Sequence, residues 1–242
     1  MSSEEWREVA DAGSLETGKP LLVKGIDDEE IALIKTEDGI YAIGHECPHY
    51  GGPLDKGTVC DNVVTCPYHN ARFDIRSGEI LTPPALDNVP HYPTKTEDGK
   101  VYVGRGTTKK IEAKSGGDQS FVIIGGGAAG NSAAEMLKSA GFDGRVVLIT
   151  AEDRLPYDRP NLSNAFLSVD AKASWLPLRG KDFYENIGVE TLLSTTVESV
   201  DRKNHTVKTS GGEDIRYDKL LLATGSVPKR LYAPSLRSEN IY

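Results

Sequence analysis

The sequence predicts a multi-domain chain in which an all-β domain is followed by a partial α/β domain. Three observations predict this architecture. Short apolar runs separated by turn residues extend to residue 106, a polar segment covers 107–119, and a fully apolar run then enters a glycine-rich turn and a helical pattern. The 242 residues are enough for two small domains, each with its own core.

The first predicted domain, residues 1–106, consists of short strands at short intervals, which indicates a small sandwich or barrel. Turn residues such as Glu37-Asp38-Gly39 separate the strands. Its apolar runs lie at 21–23, 31–34, 40–43, 63–65 and 101–103. We predict a linker over 107–119, because Ser115-Gly116-Gly117 provides enough glycine for flexibility.

The second predicted domain, residues 120–242, opens with a βαβ unit. A buried strand at 121–124 is followed by a helix at 131–140 and a second buried strand at 145–150. The later pattern predicts a helix at 179–186 and strands at 189–193, 197–201, 205–209, 215–217 and 220–223.

Composition narrows the functional classes. The formal net charge of −8 and the lack of any Lys/Arg-rich run argue against a nucleic-acid partner. No apolar run has the length of a membrane span, and the N-terminus does not resemble a signal peptide. Three cysteines cannot form a disulfide framework, so we expect a reducing compartment: cytoplasmic, with association with mitochondria as an alternative. We expect Cys60 to be a small buried core residue, with a third metal ligand as the alternative.

Two short motifs carry the strongest chemical signal. Cys47-Pro-His49 and Cys66-Pro-Tyr-His69 each supply one thiolate and one imidazole from a proline-stiffened loop. This set suits a [2Fe–2S] cluster in which one iron is bound by two cysteine sulfurs and the other iron by two histidine nitrogens. A zinc site is the alternative, although zinc fingers normally pair Cys with Cys and His with His.

A glycine motif indicates a dinucleotide site. Gly125-x-Gly127-x-x-Gly130 lies between a buried strand and a helix, where free N–H groups can bind a pyrophosphate. Glu152, 22 residues beyond Gly130, is placed to reach ribose hydroxyls. The alternative for Glu152 is a solvated loop carboxylate, and the motif alone does not separate NAD from FAD.

Residues 45–86 resemble a Rieske ferredoxin domain. The resemblance rests on Cys47-Pro-His-Tyr-Gly-Gly-Pro-Leu54, Cys66-Pro-Tyr-His69, Arg72-Phe-Asp74, Gly78-Glu79 and Pro84-Ala85. It implies a cluster bound by Cys47, His49, Cys66 and His69 and shielded by a loop near 83–85.

Four positions depart from Rieske proteins of respiratory complexes. Gly52 and Tyr68 stand where those proteins carry a disulfide, Ala71 replaces a serine that donates to the cluster, and Asn70 replaces a glycine. Fewer hydrogen bonds to the cluster stabilise the reduced state less, so we predict a potential at the low end of the Rieske range.

Residues 122–225 resemble the FAD-binding start of flavin-dependent pyridine-nucleotide oxidoreductases, in particular the group that includes apoptosis-inducing factor and oxygenase-coupled ferredoxin reductases. The resemblance rests on Val122-Ile-Ile-Gly-Gly-Gly-Ala-Ala-Gly130, Ala133-Ala-Glu135, Gly141-Phe-Asp-Gly144, Leu155-Pro-Tyr-Asp-Arg-Pro160, Leu162-Ser163 and Leu222-Ala-Thr-Gly225. With the first domain, it implies a Rieske-containing apoptosis-inducing-factor-like protein: an all-β Rieske domain ahead of a partial α/β Rossmann-type FAD-binding domain.

The resemblance also implies roles for single residues in FAD binding. Asn164 departs from the family, which usually has a lysine near the reactive flavin nitrogen, so flavin reactivity differs from the family pattern. The implied contacts are Gly125, Gly127 and Gly130 to the pyrophosphate, Glu152 to the ribose, Arg159 near the phosphates, Val197 at the adenine, and Ala223, Thr224 and Gly225 closing the pocket.

Family members continue beyond the strand that ends near Gly225, with an NAD(P)H domain and a return to the flavin domain. The chain ends at Tyr242 and has no second Gly-x-Gly-x-x-Gly motif. We therefore expect the NAD(P)H domain to be missing and FAD binding by this piece alone to be weak.

The leading function is an FAD-dependent NAD(P)H oxidoreductase of the ferredoxin-reductase type. Electrons would pass from NAD(P)H through FAD and the cluster to a protein or small-molecule acceptor, with either NADH or NADPH as the donor. The alternatives are a non-enzymatic redox-sensing or apoptosis-related signalling protein and a zinc-stabilised interaction module. A brown protein with a rhombic electron-spin signal supports the first two, and a colourless protein with zinc supports the third.

Overall fold

A computed structural model describes residues 5–163, 166–167, 172–173 and 176–227. The chain divides into two compact units, residues 1–110 and 111–242. In the described part of the chain, no helix is both long enough and apolar enough to cross a membrane.

The first unit is built from antiparallel strands. Its strands are β1 (Arg7–Asp11), β2 (Leu21–Lys24), β3 (Glu30–Lys35), β4 (Ile40–Gly44), β5 (Glu46–Cys47), β6 (Gly52–Pro53), β7 (Thr58–Cys60), β8 (Val63–Thr65), β9 (Arg72–Asp74), β10 (Ile80–Thr82), β11 (His91–Tyr92), β12 (Thr94–Glu97) and β13 (Lys100–Val103). They form sheets in the orders β1-β13-β12, β11-β4-β3-β2, β10-β9-β8-β7 and β5-β6. Short 3₁₀ helices cover Ala12–Ser14 and Leu54–Lys56.

Strand β3 explains why this unit has two cores. Ile31 and Leu33 face one core, whereas Ala32 and Ile34 face the other, because successive side chains point to opposite faces of a strand. The core on the Ala32 side, which we call the ligand-loop core, has these buried members: Ala32, Ile34, Ile43, Cys47, Leu54, Val64, Cys66, Ala71, Phe73, Ile75, Ala85 and Val89. Both motif cysteines therefore belong to a packed apolar layer.

The second unit combines a parallel sheet with a small antiparallel sheet. Its elements are β14 (Ser120–Ile124), α1 (Ala128–Ser139), β15 (Arg145–Ile149), α2 (Arg159–Leu162), α3 (Lys181–Asn186), β16 (Val189–Leu192), β17 (Val197–Asp201), β18 (Thr206–Thr209), β19 (Asp214–Arg216) and β20 (Lys219–Leu222). The parallel sheet has the order β16-β15-β14-β20, and the antiparallel sheet has the order β17-β18-β19.

Both faces of the parallel sheet are covered. Val122 and Ile124 share one core with Val207 and Ile215 of the antiparallel sheet, and Ile123 packs on the other face with Ala134 of α1. This burial accounts for the uninterrupted apolar sequence of β14. From β14 the chain adds β15 and β16 on one side of the sheet and then adds β20 on the other side. Open α/β sheets bind ligands at such a point, where the strand order reverses.

The observed architecture confirms the predicted fold class, and most predicted strands agree with the observed bounds within two residues. The prediction for Cys60 was wrong: the residue is exposed at the end of β7, which is the edge strand of its sheet. An edge strand has a neighbour on one side only, so a small apolar residue there need not be covered.

The predicted linker at 107–119 makes contacts at both of its ends. Thr107 and His91 exchange two backbone hydrogen bonds of 2.8 Å within the first unit. Gly117 donates to the carbonyl of Asp143 at 3.2 Å within the second unit. The linker bounds stay a prediction.

Candidate metal centre and nucleotide site

Two hairpin tips carry the Cys/His motifs. The first ligand loop, residues 47–52, connects β5 to β6, and the second ligand loop, residues 66–71, connects β8 to β9. Cys47 faces Gly52 across the first hairpin. In the second loop, Cys66 donates its N–H to the carbonyl of Ala71 at 2.8 Å and accepts the N–H of Asn70 at 3.1 Å. Each loop is thus closed at its base by backbone pairing.

The four motif side chains come together as a sulfur pair and a nitrogen pair. The Nδ1 atoms of His49 and His69 lie 3.2 Å apart at the surface, and their ring centroids are separated by 4.7 Å. Cys47 and Cys66 are buried in the ligand-loop core, with exposed fractions of 2% and 1%, and their thiols interact. Among the described residues, no single point gathers three or more His, Cys, Asp or Glu donors. The side chains are thus paired by type, and the convergence of the two pairs on one two-iron cluster stays a prediction.

The buried thiols favour a cation. Burial, together with the nearby Cys66, raises the pKa of Cys47 to about 11, even though the backbone N–H groups of His49 and Tyr50 act to lower it. A pair of thiolates in an apolar core needs compensating positive charge, which a metal centre supplies.

The protein packs closely around the two cysteines. A Cβ added to Gly52 would lie 2.6 Å from Sγ of Cys66 and 3.2 Å from the ring of Tyr68. Asn70 has a φ of +62°, a left-handed conformation that Asn tolerates better than most residues other than glycine. Ala85 of the loop at 83–85 is buried in the same core as both cysteines. The residues present are compatible with the predicted [2Fe–2S] cluster, and the assignment of Cys47, His49, Cys66 and His69 as its ligands stays a prediction.

A buried carboxylate behind the first ligand loop was not expected from the sequence. Oδ1 of Asp55, whose side chain is 1% exposed, lies 2.8 Å from Nδ1 of His45, and its Oδ2 lies 2.8 Å from Nζ of Lys56. The carbonyl of His45 accepts the N–H of Leu54. The only sequence signal was an acidic residue directly after Leu54, and it is too weak to indicate a role.

The glycine motif forms a tight turn at the carboxyl end of β14. Gly125 has a φ of +122°, and a Cβ there would overlap the carbonyl of Ala223. A Cβ on Gly130 would overlap the carbonyl oxygen of Gly125. Gly127 caps the N-terminus of α1, whose first N–H groups have no partner within the helix. These contacts bring the turn, the helix N-terminus and Ala223 together in a cradle that suits a pyrophosphate.

The remaining predicted nucleotide residues form a second group. Glu152 follows β15, and its Oε1 accepts a hydrogen bond of 2.6 Å from Arg159. The guanidinium of Arg159 lies 5.0 Å from the ring centroid of Tyr157. Burial, with the hydrogen bond to Glu152, raises the pKa of Tyr157. Glu152 is therefore paired with a cation and not simply solvated.

The last predicted residues are placed by β17 and β20. Val197 begins β17 and packs on the core that contains Val122. Ala223 donates its N–H to Ile124 at 2.8 Å just after β20, and Thr224 and Gly225 follow it. The described contacts do not join Val197 to the glycine turn, and Asn164 lies outside the described residues.

Fold and candidate sites together define a class of protein: a two-domain chain in which an all-β domain with paired Cys/His motifs precedes a Rossmann-type α/β domain with a glycine-rich turn. Residues 5–93 match the Rieske [2Fe-2S] domain, and residues 119–242 match the pyridine nucleotide-disulphide oxidoreductase family. The chain belongs to the pyridine nucleotide-disulphide oxidoreductase family and carries a Rieske domain at its N-terminal side. Rieske domains bind a [2Fe–2S] cluster, and FAD is the cofactor of the second family.

Individual relatives match one or both units. Human apoptosis-inducing factor 3 is 38% identical over 227 residues, which cover 88% of this chain and 37% of that protein. Rubredoxin-NAD(+) reductase of Pseudomonas putida is 39% identical over 112 residues, covering 46% of this chain and 29% of that protein. The ferredoxin of carbazole 1,9a-dioxygenase from Nocardioides aromaticivorans IC177 is 28% identical with a TM-score of 0.39, covering 40% of this chain and 95% of that structure. The chain thus spans well under half the length of the curated relatives named here.

Proposed function

We propose that this chain is the cluster-binding and flavin-binding part of an electron-transfer oxidoreductase of the ferredoxin-reductase type. Electrons pass from NAD(P)H to FAD, then to the Rieske cluster, and finally to a protein or small-molecule acceptor. The observation that carries the proposal is the meeting of two Cys/His loops, with the sulfur pair buried and the nitrogen pair at the surface.

Each ligand type has its own task in this arrangement. Cys47 and Cys66 hold one side of the metal centre inside the ligand-loop core, where water is excluded. His49 and His69 lie at the tip, and His69 is exposed, so the acceptor can approach through the imidazoles. Rieske clusters supply one-electron transfer, and FAD links it to hydride transfer from a nicotinamide.

The second unit would bind FAD through its backbone and one acidic side chain. Gly125, Gly127 and Gly130 let the chain approach the pyrophosphate, and the first N–H groups of α1 neutralise its charge. Glu152 would accept hydrogen bonds from the ribose, with Arg159 holding its carboxylate in place. Val197, Thr224 and Gly225 complete the proposed pocket.

The name of the rubredoxin-NAD(+) reductase relative supports a reductase that uses a nicotinamide. The relative named apoptosis-inducing factor 3 matches both units. The matched families favour electron transfer over signalling alone or a zinc module. We place the protein in a reducing compartment, cytosolic or mitochondria-associated, because its cysteines are free thiols.

Iron, zinc, acid-labile sulfide and flavin contents of freshly purified chain test the proposal. We expect two irons and two sulfides per chain and a rhombic electron-spin signal after reduction. A colourless protein containing zinc would support the interaction module instead. NADH- and NADPH-dependent dye reduction then separates an enzyme from a signalling protein, because a signalling protein need not turn over.

A further inference from the structure

Two tyrosines flank the surface histidines and reach across from one ligand loop to the other. Tyr50 of the first loop stacks edge-on against His49 at 4.3 Å and also against His69 of the second loop, with ring centroids 5.9 Å apart. The ring centroid of Tyr68, in the second loop, lies 6.1 Å from the ring centroid of its neighbour His69. On its other side, Tyr68 covers Gly52 of the first loop, where an added Cβ would be 3.2 Å from the ring.

The contacts are therefore crosswise. Each loop sends one aromatic ring onto the other loop: Tyr50 onto His69, and Tyr68 onto Gly52. Backbone hydrogen bonds close each loop on itself. In the first ligand loop, for example, the N–H of Gly51 donates to the carbonyl of Cys47. No disulfide bridges the two loops, because both of their cysteines are free thiols.

Both tyrosines keep about half of their surface in water. Their exposed fractions are 48% for Tyr50 and 58% for Tyr68, among the larger exposed fractions of apolar side chains in the first unit. Core packing therefore does not account for rings at these positions. Aromatic pairs in offset or edge-to-face geometry contribute energy beyond the area they bury.

We propose that Tyr50 and Tyr68 are positioning residues that hold the two ligand loops together through crosswise ring contacts, where a covalent link is absent. The inference rests on the proposed function, because its purpose is to keep four ligands converged on one [2Fe–2S] cluster. The contacts described above are made by the rings, so we assign the effect to the rings. Loss of either ring lets the loops separate and exposes the metal centre to solvent and chelators.

The test uses the purified chain and measures chelator-driven iron loss from the bleaching of visible absorbance. We expect Tyr50→Ala and Tyr68→Ala each to accelerate the loss by about 2- to 10-fold and the double variant by more. Tyr50→Phe and Tyr68→Phe should stay within about twofold of the parent, since edge-on contacts need only the ring. Electron-spin g values of the reduced alanine variants should shift, and those of the phenylalanine variants should not.

Leu22→Ala is the matched control, because Leu22 is an exposed apolar residue of β2, 41% exposed and outside both loops. It should leave both readouts unchanged. Tyr50→Leu and Tyr68→Leu keep apolar volume without a ring. If the alanine variants do not fold by far-UV circular dichroism, the leucine variants replace them and should lose iron faster than the phenylalanine variants.

The outcomes separate the two proposals. A parent chain without iron and sulfide overturns the proposed function itself. A parent that holds its cluster, with alanine or leucine variants that lose iron at the parental rate, overturns the role of the tyrosines and leaves the function intact. Phenylalanine variants that lose iron as fast as the alanine variants overturn the assignment to the rings.

Discussion

At the scale of single residues, the proposed metal centre depends on a glycine whose missing side chain leaves room for its neighbours. Gly52 has no Cβ, and the sulfur of Cys66 and the ring of Tyr68 occupy the space that one would fill. Asn70 adopts the left-handed conformation for which glycine is the usual choice. The sequence predicted the four ligands because their residue types and spacing are distinctive, and that assignment stays a prediction. Gly52 was evident only as a departure from a family, and its steric role required the structure.

We predict that Gly52→Ala releases the metal centre. The new methyl would press on Sγ of Cys66 at 2.6 Å, and overpacking of this kind costs about 1–3 kcal/mol. Iron content per chain after gel filtration should fall by more than half. Gly13→Ala is the control, because nothing lies within 4 Å of its added Cβ, and it should retain full iron. An alanine variant at Gly52 with parental iron content would contradict the steric argument.

A second prediction concerns Ala71, which is fully buried in the ligand-loop core. Ala71→Ser restores a hydroxyl donor near the cluster sulfurs, so the reduction potential should move to more positive values from the low end of the range, about −150 mV. Film voltammetry measures the shift. Ala42→Ser introduces the same group at a fully buried site in the other core and should leave the potential unchanged. Equal potentials for the parent and Ala71→Ser would refute the donor argument.

At the scale of elements, α1 is anchored by a buried polar network that the sequence did not reveal. Glu135 accepts hydrogen bonds from Asn131 at 2.7 Å and from Arg179 at 3.0 Å and 3.1 Å. Tyr184 donates to Asn131 at 2.6 Å, and burial raises the pKa of Tyr184 so that its hydroxyl stays protonated. The helical pattern predicted α1 and α3 but not this network, because its partners are far apart in the chain.

Glu135→Ala should destabilise the second unit by about 3 kcal/mol or more, because it removes the buried carboxylate that pairs with the guanidinium of Arg179. The side chains of the pair are only 11% and 8% exposed. Urea unfolding followed by circular dichroism measures the loss. Glu190→Ala removes an exposed partner of Arg145 and should cost less than about 1 kcal/mol. Equal losses for the two variants would show that burial does not matter here.

The turn between β14 and α1 yields a further prediction. Gly130→Ala would place a methyl on the carbonyl oxygen of Gly125, so the turn must open and FAD affinity should fall by at least about tenfold. Fluorescence titration with FAD measures it. Gly180→Ala, with no atom within 4 Å of its Cβ, should bind FAD like the parent. If both variants bind FAD equally, the turn does not form the pyrophosphate site.

For the whole molecule, the sequence was sufficient for the two-domain architecture and for the order of the main strands. It was insufficient for β1, β5–β7 and β9–β12, which are short or carry mixed polar residues such as Thr94-Lys-Thr-Glu97. The pairing of β1 with β13 joins opposite ends of the first domain. A local sequence pattern cannot predict which distant strand will pair with β1, because the hydrogen bonds are made by backbone atoms that every residue has.

Iron removal should affect the two units differently. Because both cysteines lie in the ligand-loop core, chelation should increase hydrogen exchange by at least about tenfold in peptides from residues 47–73. Peptides from residues 120–124 provide an internal control and should exchange as before. Unchanged exchange in 47–73 after complete iron removal would contradict a structural contribution from the metal.

The two sites also differ in how much of the chain each one requires during synthesis. The four proposed metal ligands lie between residues 47 and 69, so the ribosome synthesises them within a short interval. The pyrophosphate cradle needs both Gly125 and Ala223, and β14 must wait for β20 to arrive beside it. At about 5–20 residues per second, that wait lasts on the order of ten seconds. A nascent chain can therefore acquire its metal centre well before it can retain a flavin.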